Sequence, residues 1–189
     1  MLTAAKTKDQ SLQNRRARLR EIIQVKSVIK DREMRLVSGR KTDIYFNLKA
    51  TMLDQEGGTL LSQELLDMLC HEQFDSVGGL AIGAVPLVQS IVISSYGKIP
   101  LRAFFVRSDI KEHGTMERIE ANFRDGDRVI ILDDVTTTGG SVLKAIEAVR
   151  SRRASVLMVI TIVDRQEGAK ENLQEHGVEL VSLFTKDEF

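Results

Sequence analysis

The sequence is poor in several features, and each shortage excludes a class of protein. It has one cysteine, Cys70, so no disulfide can form within the chain, and it has no tryptophan. No apolar run reaches the roughly 18 residues of a membrane helix. The N-terminal stretch MLTAAKTKDQ also lacks the apolar segment of a signal peptide. We therefore expect a soluble cytoplasmic protein with no membrane partner, and a buried structural thiol at Cys70.

The chain also lacks an excess of charge of either sign. Its 189 residues include 27 basic and 27 acidic side chains, so there is no global basic field of the kind that nucleic-acid binding needs. We expect no nucleic-acid partner, and any anion must be bound by a local site. The length suits one domain with a sizeable core, and two prolines leave no sign of a long linker.

Apolar strand-like runs alternate with amphipathic helical segments along most of the chain. This order predicts an α/β fold with a mainly parallel central sheet flanked by helices. Residues 11–30 are predicted to form a helix, and residues 33–48 a strand pair joined by the turn SGR. The polar stretch TMERIEANFRDGD, residues 115–127, has no clear period and is predicted to be a loop.

Polar junctions follow four of the predicted strands. In a parallel sheet the carboxyl ends of the strands meet at one edge, where ligands bind. We therefore expect the functional residues to come from GAVP (83–86), RSDIKEHG (107–114), DDVTTTGGS (133–141) and DRQEG (164–168).

The segment VIILDDVTTTGG, residues 129–140, carries the strongest chemical signal. A loop that leaves a buried strand and opens a helix presents unpaired N–H groups at the positive end of the helix dipole, which suits a phosphate. Hydroxyl groups and glycines reinforce this predicted phosphate site, and they come from Thr136, Thr137, Thr138, Gly139, Gly140 and Ser141.

Asp133 and Asp134 stand beside this phosphate site. They suit a vicinal diol, which offers two O–H donors, or the waters of a magnesium ion. A phosphate next to a diol describes a ribose 5-phosphate. Helix capping alone is the simpler interpretation, but it poorly explains two acids, four hydroxyl residues and two glycines within nine positions.

Residues 129–141 resemble the phosphoribosyl pyrophosphate (PRPP) signature of the type I phosphoribosyltransferases. The resemblance implies that Asp133 and Asp134 bind the ribose hydroxyls and that residues 136–141 hold the 5-phosphate. In the 6-oxopurine branch of that family an Asp usually stands where this chain has Thr137, which argues against that branch.

The junction RSDIKEHG resembles the catalytic loop of the orotate phosphoribosyltransferases. Its cations, Arg107, Lys111 and His113, can stabilise the charge that develops on a leaving pyrophosphate. In that family the loop reaches the active site of the neighbouring subunit, so the resemblance also implies a homodimer.

The chain departs from the family pattern where some members carry lysines, because it has Val37, Gly83 and Ser108 instead. The segment GLAIGAVP resembles another version of the loop, in which small residues let backbone N–H groups reach the diphosphate. Gly83 and Ala84 are the residues that this version places there.

The base end of the site is predicted from two further resemblances. DRQEG resembles the segment whose arginine binds orotate, which implies that role for Arg165. SGRKTDIYFN resembles the family's hood, formed mainly by residues about 30–50 and the C-terminal region, in which Tyr45 and Phe46 lie beside the base. Core packing of a strand is the alternative for both aromatic residues.

Together these resemblances predict one domain, residues 1–189, with the type I phosphoribosyltransferase fold. The predicted reaction is transfer of the phosphoribosyl group from PRPP to orotate in UMP biosynthesis. Mg²⁺ would be the cofactor, held mainly by PRPP and water with no firm protein ligand. The alternatives are a transferase for another base, such as a purine, and a catalytically silent PRPP-binding regulator.

Overall fold

The computed structural model describes the backbone of residues 2–35, 41–108 and 118–189, and the side chains of residues 10–30, 44–108 and 118–189. The chain divides into two compact units, Met1–Glu64 and Leu65–Phe189. Within the described parts, no helix is both long and apolar enough to cross a membrane. The prediction of a single domain with a hood stays a prediction.

The first unit contains a long helix, an antiparallel strand pair and a short helix. Several of its apolar side chains, such as those of Ile23 and Leu48, are fully buried. A third helix begins in this unit and ends in the second. The elements are α1 (Leu2–Lys26), β1 (Val28–Arg35), β2 (Lys41–Phe46), α2 (Lys49–Met52) and α3 (Gln55–Leu69).

The strand pair predicted in this region is confirmed, but the end of the preceding helix was predicted wrongly. The helix ends at Lys26, and Ile29 lies in β1, opposite Tyr45 of β2. Val28 and Ile29 are β-branched, and cross-strand pairing outweighs the helical period that continued to residue 30. The predicted turn SGR lies outside the described residues.

The second unit is built on a six-stranded sheet with the order β5-β4-β3-β6-β7-β8. Neighbouring strands are parallel, except that β5 runs antiparallel to β4. The predicted fold class is therefore confirmed. The strands are β3 (Ser76–Gly78), β4 (Arg102–Val106), β5 (Ile119–Ala121), β6 (Arg128–Thr136), β7 (Ser155–Asp164) and β8 (Glu179–Thr185), and the helices are α4 (Val85–Ser95), α5 (Gly140–Ser151) and α6 (Ala169–Glu175).

The core explains why the sheet could be recognised from the sequence. Val129, Ile130, Ile131 and Leu132 of β6 are all fully buried, because helices cover a parallel sheet on both faces. Such a strand appears in the sequence as a continuous apolar run rather than an alternating one.

Two other local predictions were wrong. The stretch 115–127 was predicted to be a loop, yet its residues 119–121 form β5, because Ile119 is buried in the core cluster. Cys70 was expected to be buried but is exposed, since α3 ends at Leu69 and Cys70 lies just beyond it.

Candidate active site

The carboxyl ends of β3, β4, β6 and β7 lie at one edge of the sheet, because these strands are parallel. The predicted site residues of the second unit follow these strands. Gly83 follows β3, Arg107 follows β4, Asp133 lies near the end of β6 and Arg165 follows β7. The sheet topology therefore confirms that these four junctions share one edge.

Asp133 is fixed in place by the last residue of its own strand, Thr136. The side chain is buried, with 8% exposure, and its Oδ2 accepts a hydrogen bond of 2.9 Å from the hydroxyl of Thr136. Thr136 is itself 1% exposed. Its hydroxyl thus supports the acid that was predicted to bind ribose. The phosphate contact also predicted for Thr136 stays a prediction.

Asp134 lies at the surface side of the acid pair and is half-buried. Its Oδ1 accepts the N–H of Val135 at 3.0 Å. The loop after β3 approaches this carboxylate closely, because a Cβ atom built on Gly83 would lie only 2.7 Å from the same oxygen. The predicted ribose-binding acid and the predicted pyrophosphate loop are therefore neighbours.

The predicted phosphate loop opens helix α5. Gly139 takes a left-handed conformation, with φ of 83°, and the helix begins at Gly140. This turn directs the first N–H groups of α5 to the sheet edge. Thr137 is half-buried, whereas Thr138 and Ser141 are exposed beside these groups.

A residue of α6 also supports this loop. Asn172 Nδ2 donates a hydrogen bond of 2.7 Å to the carbonyl oxygen of Thr138. Sequence reasoning missed Asn172 because α6 is short and polar and no motif marks it. It lies in the chain segment between β7 and β8, and only the packing of α6 brings it to the loop.

Arg165 is held by backbone and side-chain bonds. Its N–H donates to the carbonyl oxygen of Thr136 at 2.9 Å, and its Nε donates to Glu167 Oε1 at 2.8 Å. The Arg165 side chain is 2% exposed. Such a buried guanidinium needs an anionic partner. Glu167 supplies one, although it was not predicted as a site residue.

Arg107 lies where β4 leaves the sheet. Its N–H donates to the carbonyl oxygen of Arg118 at 2.8 Å, and its guanidinium donates to Glu120 Oε1 at 2.6 Å. Glu120 was missed because β5 was predicted to be loop. Lys111 and His113, the other predicted cations, lie outside the described residues, so their role stays a prediction.

The remaining predicted contacts fall on both units. Ala84 is fully buried, and its N–H donates to the carbonyl oxygen of Leu80 at 3.2 Å. In the first unit Tyr45 is 40% exposed and Phe46 is 5% exposed, because consecutive strand residues point to opposite faces. The pyrophosphate contacts of Gly83 and Ala84, and the base contacts of Tyr45 and Phe46, stay predictions.

The site offers carboxylates but no complete cage for a metal ion. Among the described residues, no group of three His, Cys, Asp or Glu side chains is arranged to hold a metal. Asp133 and Asp134 fit a hydrated magnesium ion that arrives with a substrate, because Mg²⁺ keeps several waters and favours carboxylate and phosphate oxygens.

Known proteins share this architecture and much of the sequence. Residues 49–181 match the family described as phosphoribosyl transferase domain. The chain is 49% identical over 179 residues to an orotate phosphoribosyltransferase of Rhodopseudomonas palustris (strain BisB5), covering 92% of this chain and 95% of that protein. A Streptomyces coelicolor protein of the same name is 41% identical over 175 residues, covering 92% of this chain and 96% of its relative.

A solved structure agrees with these relatives. The orotate phosphoribosyltransferase of Mycobacterium tuberculosis H37Rv, in complex with PRPP, superposes with a TM-score of 0.76 and 30% sequence identity, covering 92% of this chain and 98% of that one. The chain therefore belongs to the phosphoribosyltransferase family, in its orotate phosphoribosyltransferase branch.

Proposed function

We propose that this chain transfers the 5-phosphoribosyl group of PRPP to orotate, giving orotidine 5′-monophosphate and pyrophosphate in the synthesis of UMP. The observation that carries this proposal is the 2.9 Å hydrogen bond from the N–H of Arg165 to the carbonyl oxygen of Thr136. This bond joins the segment assigned to orotate to the segment assigned to the ribose 5-phosphate. With these assignments, the two reactants would lie side by side at the ends of β6 and β7.

We assign the ribose hydroxyls to the carboxylates of Asp133 and Asp134, and the 5-phosphate to residues 136–141. The support for Asp133 is its fixed orientation, since Thr136 holds one carboxylate oxygen. The support for the phosphate is the opening of α5 at this edge of the sheet. Contacts to both the ribose hydroxyls and the 5-phosphate would fix the position of the anomeric carbon.

At that carbon, the bond to the pyrophosphate oxygen breaks and a bond to N1 of orotate forms, while the N1 proton is released. The transition state resembles an oxocarbenium ion, so the protein supplies positions and charges rather than a nucleophile. We assign the leaving pyrophosphate to Arg107, Lys111 and His113, with backbone groups of Gly83 and Ala84. Mg²⁺ carried by PRPP would neutralise phosphate charge there.

We assign the orotate carboxylate to Arg165, because a guanidinium matches the planar carboxylate group. The Arg165 side chain is 2% exposed and bonded to Glu167, so orotate binding must reorient it. Tyr45 and Phe46 are assigned to the face of the base. We further propose a cytoplasmic homodimer in which the segment containing Lys111 completes the site of the partner. The homodimer is proposed from the likeness to the family, and the cytoplasmic location from that likeness together with a sequence that has a single cysteine.

The direct test is the loss of orotate absorbance when the protein is mixed with PRPP and Mg²⁺. We expect a loss that requires both additions. Arg165→Ala should raise the KM for orotate by about tenfold or more, while PRPP affinity changes little, because hydrogen bonds to a charged group contribute about 1.5–3 kcal/mol. An unchanged KM for orotate would remove Arg165 from the base site.

A base panel in the same assay separates the alternatives. Turnover of adenine or xanthine without turnover of orotate would indicate a purine transferase. Binding of PRPP with no pyrophosphate release under any base would indicate a silent regulator. Thr137 stands where the 6-oxopurine branch has an acid, and the balanced charge opposes a nucleic-acid-binding regulator, so we expect orotate to be the substrate.

A further inference from the structure

Gly83 differs from neighbouring glycines in what its missing side chain would contact. A Cβ on Gly79 would lie 2.1 Å from the backbone oxygen of Leu132, and one on Gly78 would lie 2.5 Å from the Phe104 ring. These glycines therefore serve the packing of the sheet. A Cβ on Gly83 would instead meet the end of one side chain, the carboxylate of Asp134, at 2.7 Å from Oδ1 and 3.4 Å from Oδ2.

A side chain added at residue 83 can therefore disturb Asp134 without disturbing the packing of the core. Gly83 is not among the glycines with positive φ, so its backbone conformation does not exclude alanine. The contact can be relieved by rotation of the Asp134 side chain, with little cost to the core. That rotation would break the hydrogen bond from the Val135 N–H to Oδ1 and move the carboxylate.

We propose that Gly83 is a positioning residue for ribose recognition, because its lack of a side chain lets the loop after β3 lie against Asp134 and fixes where that carboxylate points. This inference rests on the proposed function of Asp134. It assigns Gly83 a role beyond any backbone contact with pyrophosphate. It also means that a lysine cannot simply be restored at this position, although some family members have one there.

The Gly83→Lys variant distinguishes two hypotheses about residue 83, because they predict opposite changes in PRPP affinity. If residue 83 matters only as a place for a cation near the diphosphate, Gly83→Lys should tighten PRPP binding. If it positions Asp134, both Gly83→Ala and Gly83→Lys should weaken binding. We expect roughly a tenfold to hundredfold increase in the Kd for PRPP in both variants, the range for a lost hydrogen bond to a charged group.

The measurement is calorimetric titration of each full-length protein with PRPP and Mg²⁺, in the absence of orotate. Ile93→Ala is the matched control, since Ile93 lies on α4, outside the predicted pyrophosphate loop, and is 66% exposed. It should leave the Kd within about twofold of wild type, as expected for a surface substitution away from the ligand. Thermal melts should show Gly83→Ala to be folded.

A double-mutant cycle with Asp134→Ala tests whether Gly83 acts through that residue. Once the carboxylate is removed, Gly83→Ala should cause no further loss of PRPP affinity. An equal loss in both backgrounds would overturn the inference, and so would wild-type affinity in Gly83→Ala or tighter binding in Gly83→Lys. If wild type itself binds no PRPP, the proposed function fails and the inference fails with it. If wild type binds PRPP but Gly83→Ala binds equally well, only the inference fails.

Discussion

Replacing Thr136 by valine tests how the acid pair is held. The substitution keeps the shape of the side chain and removes the hydroxyl that donates to Asp133 Oδ2 at 2.9 Å. Both residues are buried, with exposures of 1% and 8%, so water replaces the lost donor poorly. A hydrogen bond to a charged group contributes about 1.5–3 kcal/mol, and we expect Thr136→Val to lower the free energy of unfolding by that amount.

Loss of this hydrogen bond should lower both the stability and the activity of the protein. For a chain of this size, each kcal/mol shifts Tm by about 2–4 °C, so Tm should fall by about 3–12 °C. The Asp133 carboxylate also loses part of its orientation, so kcat/KM for PRPP should fall about tenfold to hundredfold. Calorimetric melts and steady-state kinetics with orotate in excess measure the two effects.

Thr161→Val provides a matched control on the neighbouring strand. Thr161 lies opposite Asp133 in the register and is fully buried. Among the described residues its hydroxyl makes only long contacts, 3.4 Å with the backbone oxygen of Asp134 and 3.3 Å with that of Val163. We expect its loss to change stability by less than about 1 kcal/mol. If Thr136→Val matches this control in both Tm and kcat/KM, the claim that Thr136 positions Asp133 is wrong.

Three further predictions follow from other parts of the molecule. Gly79→Ala should strongly reduce folded protein in thermal melts, because its Cβ would lie 2.1 Å from the backbone oxygen of Leu132; a wild-type Tm would contradict the packing. Hydrogen bonds from Arg152 and then Arg153 hold the pKa of the Asp125 carboxyl below its ordinary value of 3.8. The ionised carboxylate therefore stabilises the folded protein at pH values above 3.8, and this stabilisation is lost as pH falls through the lower pKa of the folded state. The difference in Tm between wild type and Asp125→Asn should accordingly shrink below about pH 4. A constant difference would argue against the ion pair. Finally, hybrid dimers of Lys111→Ala and Arg165→Ala subunits should recover activity if the loop works in the partner's site, and no recovery in proven hybrids would place the loop in its own subunit.

Local patterns in the sequence determined the sheet and the chemical character of its edge. A parallel strand buried on both faces must be continuously apolar, so β6 and β7 could be recognised without their neighbours. The segment VIILDDVTTTGG carries its acids, hydroxyls and glycines within one strand–loop–helix unit. Ile29 and the stretch around Ile119 were misassigned because their strands are stabilised by cross-strand pairing, Ile29 with Tyr45 and Ile119 with Val106, which no local period reports.

Tertiary structure alone decided which groups support the site. The contact of Gly83 with Asp134, the bond from Asn172 to Thr138 and the bond from the Arg165 N–H to Thr136 each join segments that are separated along the chain. They exist because the strand order places β3 and β7 on either side of β6. The sequence thus determined which chemical groups stand at the sheet edge, whereas strand order and packing decided their partners and orientation.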